Sequence, residues 1–278
     1  MKIFLTGGTG FLGSHFINQA LDQGHYVLAL KRSISSVPRV SLNEDPTWLE
    51  KEITEVTVND LIDIDVVVHL AAHSANVPYD TLENCILKNV IDPLKLFRKA
   101  AEAHVTKFVV AGSCFEYGKS GERYDYIPVD APLEPTQTYP ASKALSSTAF
   151  YQFAIENNVQ LSYHRIFQVF GEGELETRLW PSMRRAALNG EDFPMTEGEQ
   201  VRDFIEVTQV AKAFLQATNN IMQSTSTVPE YHNLGSGNPQ SILEFSKYWW
   251  EKWGASGKLL VGVKPYRSGE VMRYVPKT

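Results

Sequence analysis

Short apolar runs alternate along the first half of the chain with segments in which apolar residues recur at helical spacing. The apolar runs predict strands at Lys2–Thr6, Tyr26–Leu30, Asp65–Leu70, Lys107–Gly112 and Leu161–Ile166, with a weaker one near Thr47–Lys51. The helical spacing predicts helices at Gly13–Gln23, at Asn84–Ala103 with a kink expected at Pro93, and at Ala141–Asn157. Strands that alternate with helices are typical of an α/β fold, so the pattern predicts a doubly wound parallel sheet.

The pattern changes after Phe170. A loop at Gly171–Glu174 is followed by a predicted helix at Pro181–Asn189, an irregular segment at Gly198–Val207 that closes with an apolar strand, and helices at Gln209–Asn219 and Ser241–Trp253. We expect residues 171–278 to form mainly a smaller lobe, beside a larger domain over residues 1–170 that also takes contributions from later segments.

Length and composition limit the class of protein. A chain of 278 residues, 43% of them hydrophobic, can bury a large core. No stretch reaches the roughly 18 apolar residues of a membrane span, and the first apolar run is too short for a signal peptide, so we expect a cytoplasmic protein. Cys85 and Cys114 lack metal-site spacing, which predicts no metal and a reducing compartment. The net charge of -6 argues against a nucleic-acid partner.

A glycine-rich turn separates the first strand from the first helix. It reads Thr6-Gly7-Gly8-Thr9-Gly10-Phe11-Leu12-Gly13, and it fits a dinucleotide-binding fingerprint in two registers, one starting at Gly7 and one at Gly8. Either register lets the backbone approach a pyrophosphate at the positive end of a helix. The sequence therefore predicts a Rossmann-like cofactor site.

The turn after the second strand bears on the choice of cofactor. A carboxylate that holds the ribose hydroxyls of NAD is expected there, but the chain has Lys31-Arg32-Ser33. Basic groups suit a 2'-phosphate, so NADP is favoured over NAD, although a solvated basic turn is the alternative interpretation.

Tyr139 and Lys143 are the candidate acid/base pair. Residues four apart lie on one helix face, so the lysine charge can stabilise a phenolate. Tyr248 and Lys252 have the same spacing, which makes spacing alone weak support. Only the first pair follows an apolar strand that ends in Gly112-Ser113, and this context selects Tyr139.

With these motifs the chain resembles the extended short-chain dehydrogenases/reductases of the nucleotide-sugar epimerase, dehydratase and reductase group, over nearly its whole length. Further matching motifs are His69-Leu70-Ala71-Ala72, Asn89-Val90, Ser113-Cys114-Phe115-Glu116-Tyr117-Gly118, Arg202-Asp203-Phe204-Ile205 and Asn233-Leu234-Gly235-Ser236-Gly237. The resemblance implies cofactor contacts from Gly7, Gly10, Phe11, Leu12, Gly13, Lys31, Arg32, Ser33, Glu52, Ile53, Leu70, Ala71, Ala72, Asn89, Tyr139, Lys143 and Ile166.

The resemblance also implies three catalytic roles. Tyr139 is the acid/base, Lys143 lowers its pKa and holds the nicotinamide ribose, and Ser113 hydrogen-bonds the substrate oxygen. A carbonyl that accepts hydride develops alkoxide character and needs such donors. A serine at a strand end is otherwise commonly a helix cap.

Departures from the family narrow the reaction. In the family's dehydratases, the two positions after the catalytic serine or threonine carry a pair of acids, or at least a glutamate at the second position. This chain has Cys114 and Phe115 at these positions. Glu116 comes one position later, and a one-residue slip on an extended segment reverses the side chain's direction. The bifunctional epimerase-reductases use a cysteine at the position of Phe115 and a histidine near Arg178, and neither matches.

The expected substrate site rests on seven residues. The resemblance implies that Arg202 and Arg267 hold a diphosphate, as a guanidinium fork suits phosphate, although arginines are often surface charges. The remaining five are His73, Phe115, Gln168, Arg178 and Trp180, with Gln168 replacing the family's usual asparagine. Structural roles for His73 and Trp180 are equally open.

These observations predict an NADPH-dependent reductase of a nucleotide-diphosphate 4-keto-6-deoxy sugar, in deoxysugar or polysaccharide biosynthesis. The alternatives are a 4-epimerase that retains its cofactor and a non-catalytic dinucleotide-binding module; retention of Ser113, Tyr139 and Lys143 argues against the latter. A homodimer is expected through the helices Asn84–Ala103 and Ala141–Asn157, with Phe150, Tyr151 and Phe153 as extra aromatic surface. Family members commonly continue past the segment Arg273–Pro276, so a trimmed lobe is expected.

Overall fold

A seven-stranded parallel sheet forms the centre of the computed structural model, which describes residues 1–267 and 269–278. Its strands, in spatial order, are β10 (Glu230–Leu234), β6 (Gln160–Ile166), β5 (Lys107–Ser113), β4 (Val66–His69), β1 (Lys2–Thr6), β2 (Tyr26–Lys31) and β3 (Thr47–Glu50). The order reverses between β1 and β4, and in such sheets ligands bind outside the carboxyl ends of the strands at this reversal. The glycine turn lies there.

Seven α-helices pack on the central sheet or in the smaller part of the fold after residue 170. They are α1 (Phe11–Asp22), α2 (Leu82–Ile86), α3 (Asp92–Glu102), α4 (Thr138–Asn157), α5 (Leu179–Asn189), α6 (Val207–Gln223) and α7 (Ile242–Lys252) within the described residues.

Alternating side chains of the central strands build two cores. Phe4 and Val67 face α3 and α4, where they pack with Phe97, Phe108 and Phe150. Their neighbours Ile3 and Val66 face the opposite side, where α1 and α6 supply Phe16, Val210 and Phe214. Burial of both faces explains why the strands read as almost unbroken apolar runs.

The chain after residue 170 forms smaller sheets and an aromatic core. The remaining strands are β7 (Gln168–Phe170), β8 (Phe193–Pro194), β9 (Val201–Glu206), β11 (Pro239–Ser241), β12 (Leu259–Leu260) and β13 (Arg273–Tyr274). Strand β9 pairs with β7, β11 and β13. Phe204 and Phe245 stack at 4.0 Å between ring centroids, and α5 and α7 pack around them. The proposed domain division at residue 170 stays a prediction, and β10 returns from the later segment to the large sheet.

The predicted parallel sheet and its six strands are confirmed, with ends that differ by at most one residue. Strand β10 was not predicted. The predicted helix Asn84–Ala103 is interrupted by the π-helical segment Leu87–Ile91, which directly precedes Pro93. A proline lacks the N–H for the carbonyl four residues earlier, here Asn89, and clashes with it, so the irregularity falls in the turn before Pro93.

Two other expectations concern single residues. Phe150 and Phe153 are buried in the core of the chain itself, so they supply no surface for a dimer, whereas Tyr151 is exposed. Cys85 and Cys114 are both buried, unbridged thiols. Among the described residues, no helix combines the length and the apolarity that crossing a bilayer would require.

Candidate active site

The backbone of the glycine turn selects one of the two predicted registers. Gly7 has φ of 79°, and a side chain there would place its Cβ 2.7 Å from the Ala71 nitrogen. A Cβ at Gly13 would overlap the Gly7 carbonyl oxygen, to which Gly10 donates a backbone hydrogen bond of 2.9 Å. A Cβ at Gly8 would meet only side chains, and one at Gly10 would lie 3.1 Å from the Gly7 carbonyl oxygen, so Gly7 and Gly13 are the positions that leave no room for a side chain.

The same turn provides an anion site. Helix α1 begins after Gly10, which has no side chain to cap the first N–H groups of the helix. Those groups, at Phe11 and Leu12, carry the partial positive charge of the helix terminus. The close approach of Gly7 to Ala71 leaves this terminus clear of side chains, and the residues present therefore fit a dinucleotide pyrophosphate.

The basic turn after β2 divides into one paired and one unpaired cation. Lys31 forms an ion pair of 3.2 Å with Glu50 and lies 5.4 Å from the centroid of the Trp48 ring, so its charge is already compensated. Arg32 is exposed, and within the described residues it has no ion pair. The Ser33 hydroxyl lies 2.8 Å from that of Ser35. The predicted phosphate contacts of Lys31 and Arg32 stay predictions: Lys31 already pairs with Glu50, and Arg32 is the cation without such a pair among the described residues.

Glu52 and Ile53 lie just beyond β3. The Glu52 side chain caps the 3-10 turn Ile53–Glu55, whose Glu55 side chain in turn accepts from the Glu52 nitrogen at 2.9 Å. This reciprocal cap fixes the turn that carries two of the predicted cofactor residues.

Ser113 and Tyr139 meet at the carboxyl end of β5. Tyr139 lies in the first turn of α4, which begins at Thr138 rather than near Ala141 as expected. The Ser113 oxygen accepts a 3.3 Å hydrogen bond from the Phe115 nitrogen, so it also acts as a cap. Burial, and then the charge of Glu116, raise the pKa of Tyr139 well above its ordinary value, while interaction with Ser113 opposes the shift. The phenol is therefore a proton donor at neutral pH.

Lys143 lies one turn further along α4 and is 2% exposed. Its ammonium donates a 2.8 Å hydrogen bond to the Ala111 carbonyl oxygen. Burial lowers the pKa of Lys143 to about 8, although Glu116 acts in the opposite direction. The charge of Lys143 affects the pKa of Tyr139 less than burial and Glu116 do, so these two effects outweigh the expected stabilisation of the phenolate.

Glu116 lies beneath the site and is completely buried. One carboxylate oxygen accepts from the Ser113 nitrogen and from the Tyr163 hydroxyl, both at 2.8 Å. The other accepts from Arg165 Nε at 2.8 Å, and Arg165 donates further to the Val129 carbonyl oxygen. The expectation of an extended segment is wrong, because Cys114–Glu116 form a 3-10 turn, and this turn places the Glu116 carboxylate on these partners. Glu116 is thus committed to holding Ser113.

Asn89 ties the cofactor side of the site to the catalytic helix. Its side-chain oxygen accepts from the His73 nitrogen at 2.7 Å, and its amide donates to the His73 carbonyl oxygen at 3.1 Å and to Ser142 Oγ at 2.9 Å. Asn89 lies in the π-helical turn, a distortion that is frequent at functional sites. The segment Leu70–Ala72 is thereby held beside α4. Ile166, another predicted cofactor residue, pairs with Ser113 across the sheet.

The predicted diphosphate ligands lie in the later part of the chain. Arg202, on β9, donates to the Val271 carbonyl oxygen at 2.6 Å and lies 3.3 Å from a Glu270 carboxylate oxygen. Arg267 precedes the same segment and is exposed. Glu270 pairs with Arg202 and donates its backbone nitrogen to the Arg267 carbonyl oxygen at 3.1 Å, so the backbones of both arginines lie in one region with Glu270 as a local counter-charge.

The other predicted substrate residues line several elements. Arg178, at the start of α5, pairs with Glu174 at 3.3 Å, and burial raises the pKa of Glu174 to about 7. Phe115 is 38% exposed. Gln168 opens β7, and Trp180 joins the aromatic core with a buried indole N–H that has no partner among the described residues. His73 is held by Asp80, at 2.7 Å between His73 Nε2 and a carboxylate oxygen.

Comparison with known proteins identifies the family. The model of the NAD dependent epimerase/dehydratase family matches residues 3–235, which is most of the chain. The chain belongs to this family. The match confirms the resemblance drawn from the motifs and the prediction of an NAD(P)-dependent enzyme.

Individual relatives have low sequence identity to this chain but align with nearly all of it. CDP-abequose synthase of Salmonella muenchen is 26% identical over 276 residues, covering 98% of this chain and 87% of the relative. UDP-glucose 4-epimerase of Neisseria meningitidis serogroup B is 28% identical over 307 residues, covering 97% and 87%. A solved UDP-N-acetylglucosamine 4-epimerase from Methanobrevibacter ruminantium, in complex with UDP-N-acetylmuramic acid, superposes with a TM-score of 0.85 at 25% identity, covering 99% and 89%.

Sequence reasoning missed one residue at the site of this family member. Tyr79, in the loop between β4 and α2, lies with its ring centroid 5.5 Å from that of Tyr139. A single tyrosine in a loop carries no periodic or motif signal, so only the folded chain shows that it lies beside the acid/base.

Proposed function

We propose that this family member reduces the 4-keto group of a nucleotide-diphosphate 4-keto-6-deoxy sugar with NADPH. The observation that carries the proposal is the exposed, unpaired Arg32 at the end of β2, where a carboxylate would hold the ribose of NAD. An arginine there suits the 2'-phosphate of NADP, the cofactor that reductive biosynthesis exchanges at every turnover.

The described residues supply the chemistry that such a reduction requires. The bound cofactor would provide the hydride. Tyr139 would give a proton to the C4 oxygen, since burial keeps its phenol protonated, and Ser113 would hold that oxygen. Lys143 is positioned one helical turn away, where its ammonium would hold the nicotinamide ribose. No acid suited to elimination accompanies them, because Glu116 is enclosed by Ser113, Tyr163 and Arg165.

The substrate class follows from the arginines and from the relatives. Arg202 and Arg267 are brought to one region and would grip a diphosphate by bidentate hydrogen bonds. The names of the relatives, a synthase of CDP-abequose and several UDP-glucose 4-epimerases, are nucleotide-sugar names. These likenesses support a sugar nucleotide without choosing its base.

A 4-epimerase that keeps its cofactor is the second candidate. Several of the similar proteins are UDP-glucose 4-epimerases, and a solved neighbour contains NAD. Lys31 is neutralised by Glu50, which removes one of the two cations that favour NADP. The same Ser113 and Tyr139 would serve this reaction, so the two candidates differ in cofactor exchange rather than in acid/base residues.

Cofactor consumption separates the two candidates. With a 4-keto-6-deoxy sugar nucleotide, supplied by a coupled 4,6-dehydratase for UDP, CDP, GDP and dTDP, a reductase should oxidise NADPH in proportion to the product formed. With UDP-glucose, an epimerase should yield UDP-galactose with no net loss of cofactor. Epimerisation together with an absence of NADPH oxidation on every keto sugar would refute the reductase assignment.

Cofactor preference is tested independently by calorimetry. We expect NADPH to bind more tightly than NADH, and Arg32→Asp to reverse the preference, because a carboxylate repels the 2'-phosphate and accepts ribose hydroxyls. Lys31→Asp is not an equivalent change, since it also breaks the pair with Glu50. Equal or tighter binding of NADH by the unmodified protein would favour the epimerase.

A homodimer through α4 and the helical segment before α3 remains a proposal. Leu145 and Ile155 on α4, with Leu87 and Ile91 on the neighbouring segment, leave 39–50% of their surface exposed. Apolar side chains on two adjacent helices suit burial in an interface of at least roughly 1,000 Å². Sedimentation of the protein as a monomer, unchanged by Leu145→Glu, would contradict it.

A further inference from the structure

Tyr79 lies against the acid/base side chain. The two rings are tilted by 34° with 5.5 Å between their centroids, so Tyr79 covers one side of the Tyr139 ring. Tyr79 itself is only partly buried. A partly exposed aromatic ring against a buried acid/base therefore forms part of the wall from which a substrate reaches Tyr139.

The position of Tyr79 is fixed by its neighbour Asp80. The Asp80 nitrogen donates a 2.7 Å hydrogen bond to Ser74 Oγ, and the Asp80 carboxylate pairs with His73. Its carbonyl oxygen accepts a 2.8 Å hydrogen bond from Thr138 Oγ1. Asp80 follows Tyr79 and Thr138 precedes Tyr139, so this bond joins the backbones that carry the two tyrosines.

The hydroxyl of Tyr79 has a defined electrostatic environment. Burial raises its pKa, and the nearby Arg178 charge acts in the opposite direction. The phenol is consequently a neutral donor near neutral pH, in a region that includes Tyr139, Arg178 and Cys114. Its ring offers an apolar surface and its hydroxyl a polar end, the combination that suits the C–H and O–H groups of a sugar.

We infer that Tyr79 is a specificity-determining residue that contacts the sugar of the substrate, with its ring against the sugar face next to C4 and its hydroxyl on a sugar oxygen. The inference rests on the proposed function, because it assumes a sugar nucleotide at this site. Tyr79 should contribute to binding of the sugar and contribute nothing to binding of the nucleotide, which the arginines of the later segment hold.

Calorimetry on the cofactor-loaded protein tests this division. UDP and UDP-glucose form one pair of probes, and CDP and CDP-glucose form a second. Tyr79→Phe should weaken binding of the sugar nucleotide by about two- to tenfold, as expected for one lost hydrogen bond. Tyr79→Ala should weaken it by at least about tenfold, because the ring contact is lost as well. Neither change should alter the affinity for UDP or CDP.

Tyr248 provides the matched control, since it is 57% exposed on α7 and its ring faces Lys252. Tyr248→Phe and Tyr248→Ala should leave all four affinities unchanged. Unchanged binding of the sugar nucleotides by the Tyr79 variants would overturn the inference, as would an equal loss for UDP and UDP-glucose, which indicates general damage to the fold. Failure of the unmodified protein to bind any of the four probes would also overturn the inference, whereas the proposed function falls only if no keto sugar nucleotide supports oxidation of NADPH.

Discussion

Glu116→Gln should strongly destabilise the protein, although Glu116 touches neither solvent nor the expected substrate. The change replaces a carboxylate with a neutral amide of nearly the same shape. The carboxylate accepts three hydrogen bonds of 2.8 Å, from the Ser113 nitrogen, the Tyr163 hydroxyl and Arg165 Nε. A glutamine has only one acceptor oxygen, so its NH₂ group must face at least one of these donors.

The expected cost follows from the charge that remains. Arg165 is 5% exposed and would keep its positive charge without a negative counter-charge. Removing one member of a buried ion pair typically costs about 3–5 kcal/mol, most of it from the uncompensated charge. For a chain of this size that corresponds to a fall in Tm of at least about 6 °C. Glu116 also raises the pKa of Tyr139, so the variant should lower that pKa.

Urea denaturation followed by tryptophan fluorescence, with calorimetric Tm, measures the effect. Glu134→Gln is the matched control, because Glu134 pairs with Arg123 at the surface, where ion pairs contribute about 0–1 kcal/mol. The double variant Glu116→Gln/Arg165→Met removes both charges and should recover part of the loss, with a coupling of at least about 1 kcal/mol. If the single variant does not fold, the stability of the double variant still tests the prediction.

A loss no larger than that of Glu134→Gln would refute the reasoning. So would strictly additive effects in the double variant, because they would mean that the buried charges do not interact. Either result would also remove the argument that Glu116 is committed to structure and is unable to act as an elimination acid.

Three further predictions concern the catalytic residues. Tyr139→Phe should lower turnover by at least about a hundredfold and leave cofactor affinity largely intact, whereas the decoy Tyr248→Phe should change neither; more than roughly a tenth of normal turnover in the former would disprove the acid/base role. Ser113→Ala should lower kcat by less than Tyr139→Phe does, since the loss of one donor costs about 3 kcal/mol of transition-state stabilisation, and a loss larger than that of Tyr139→Phe would indicate that the serine does more than hold the oxygen. The pKa of Lys143 is about 8 when folded and 10.5 ordinarily, so the folded chain binds fewer protons between these values and its stability should rise with pH there. Relative to Lys143→Met, the unmodified protein should gain about 3 kcal/mol across that window by urea denaturation, and a constant difference would show that the lysine is not buried as a charge.

The elements that the sequence predicts well are those with a local signal. Ile3, Phe4 and Leu5 form an apolar run because β1 is covered on both faces, and such a run can be recognised without knowledge of its neighbours. The glycine turn is also local, since the requirement at Gly13 comes from Gly7, six residues earlier. These signals were enough to predict the sheet and the cofactor end of the site.

The features that were missed depend on distant partners. Strand β10 contains Glu230, His232 and Asn233 among its five residues, so it lacks an apolar pattern and exists through its parallel pairing with β6. The charge of Lys31 is neutralised by Glu50 on the adjacent strand, and no spacing along the chain shows that pairing. Spacing likewise placed Lys143 near Tyr139 but could not show that burial and Glu116 would dominate the pKa of the phenol.

The amide of Asn89 has a consequence for how the molecule can change. It fastens His73 to Ser142, one turn beyond Tyr139, so the phenol keeps its place relative to the dinucleotide side without any help from the arginines of the later segment. If Arg202 and Arg267 hold the substrate as proposed, substitutions around them would change which substrate binds and leave the position of the Tyr139 phenol the same. A fold organised in this way can change its substrate while its acid/base residues keep the same geometry.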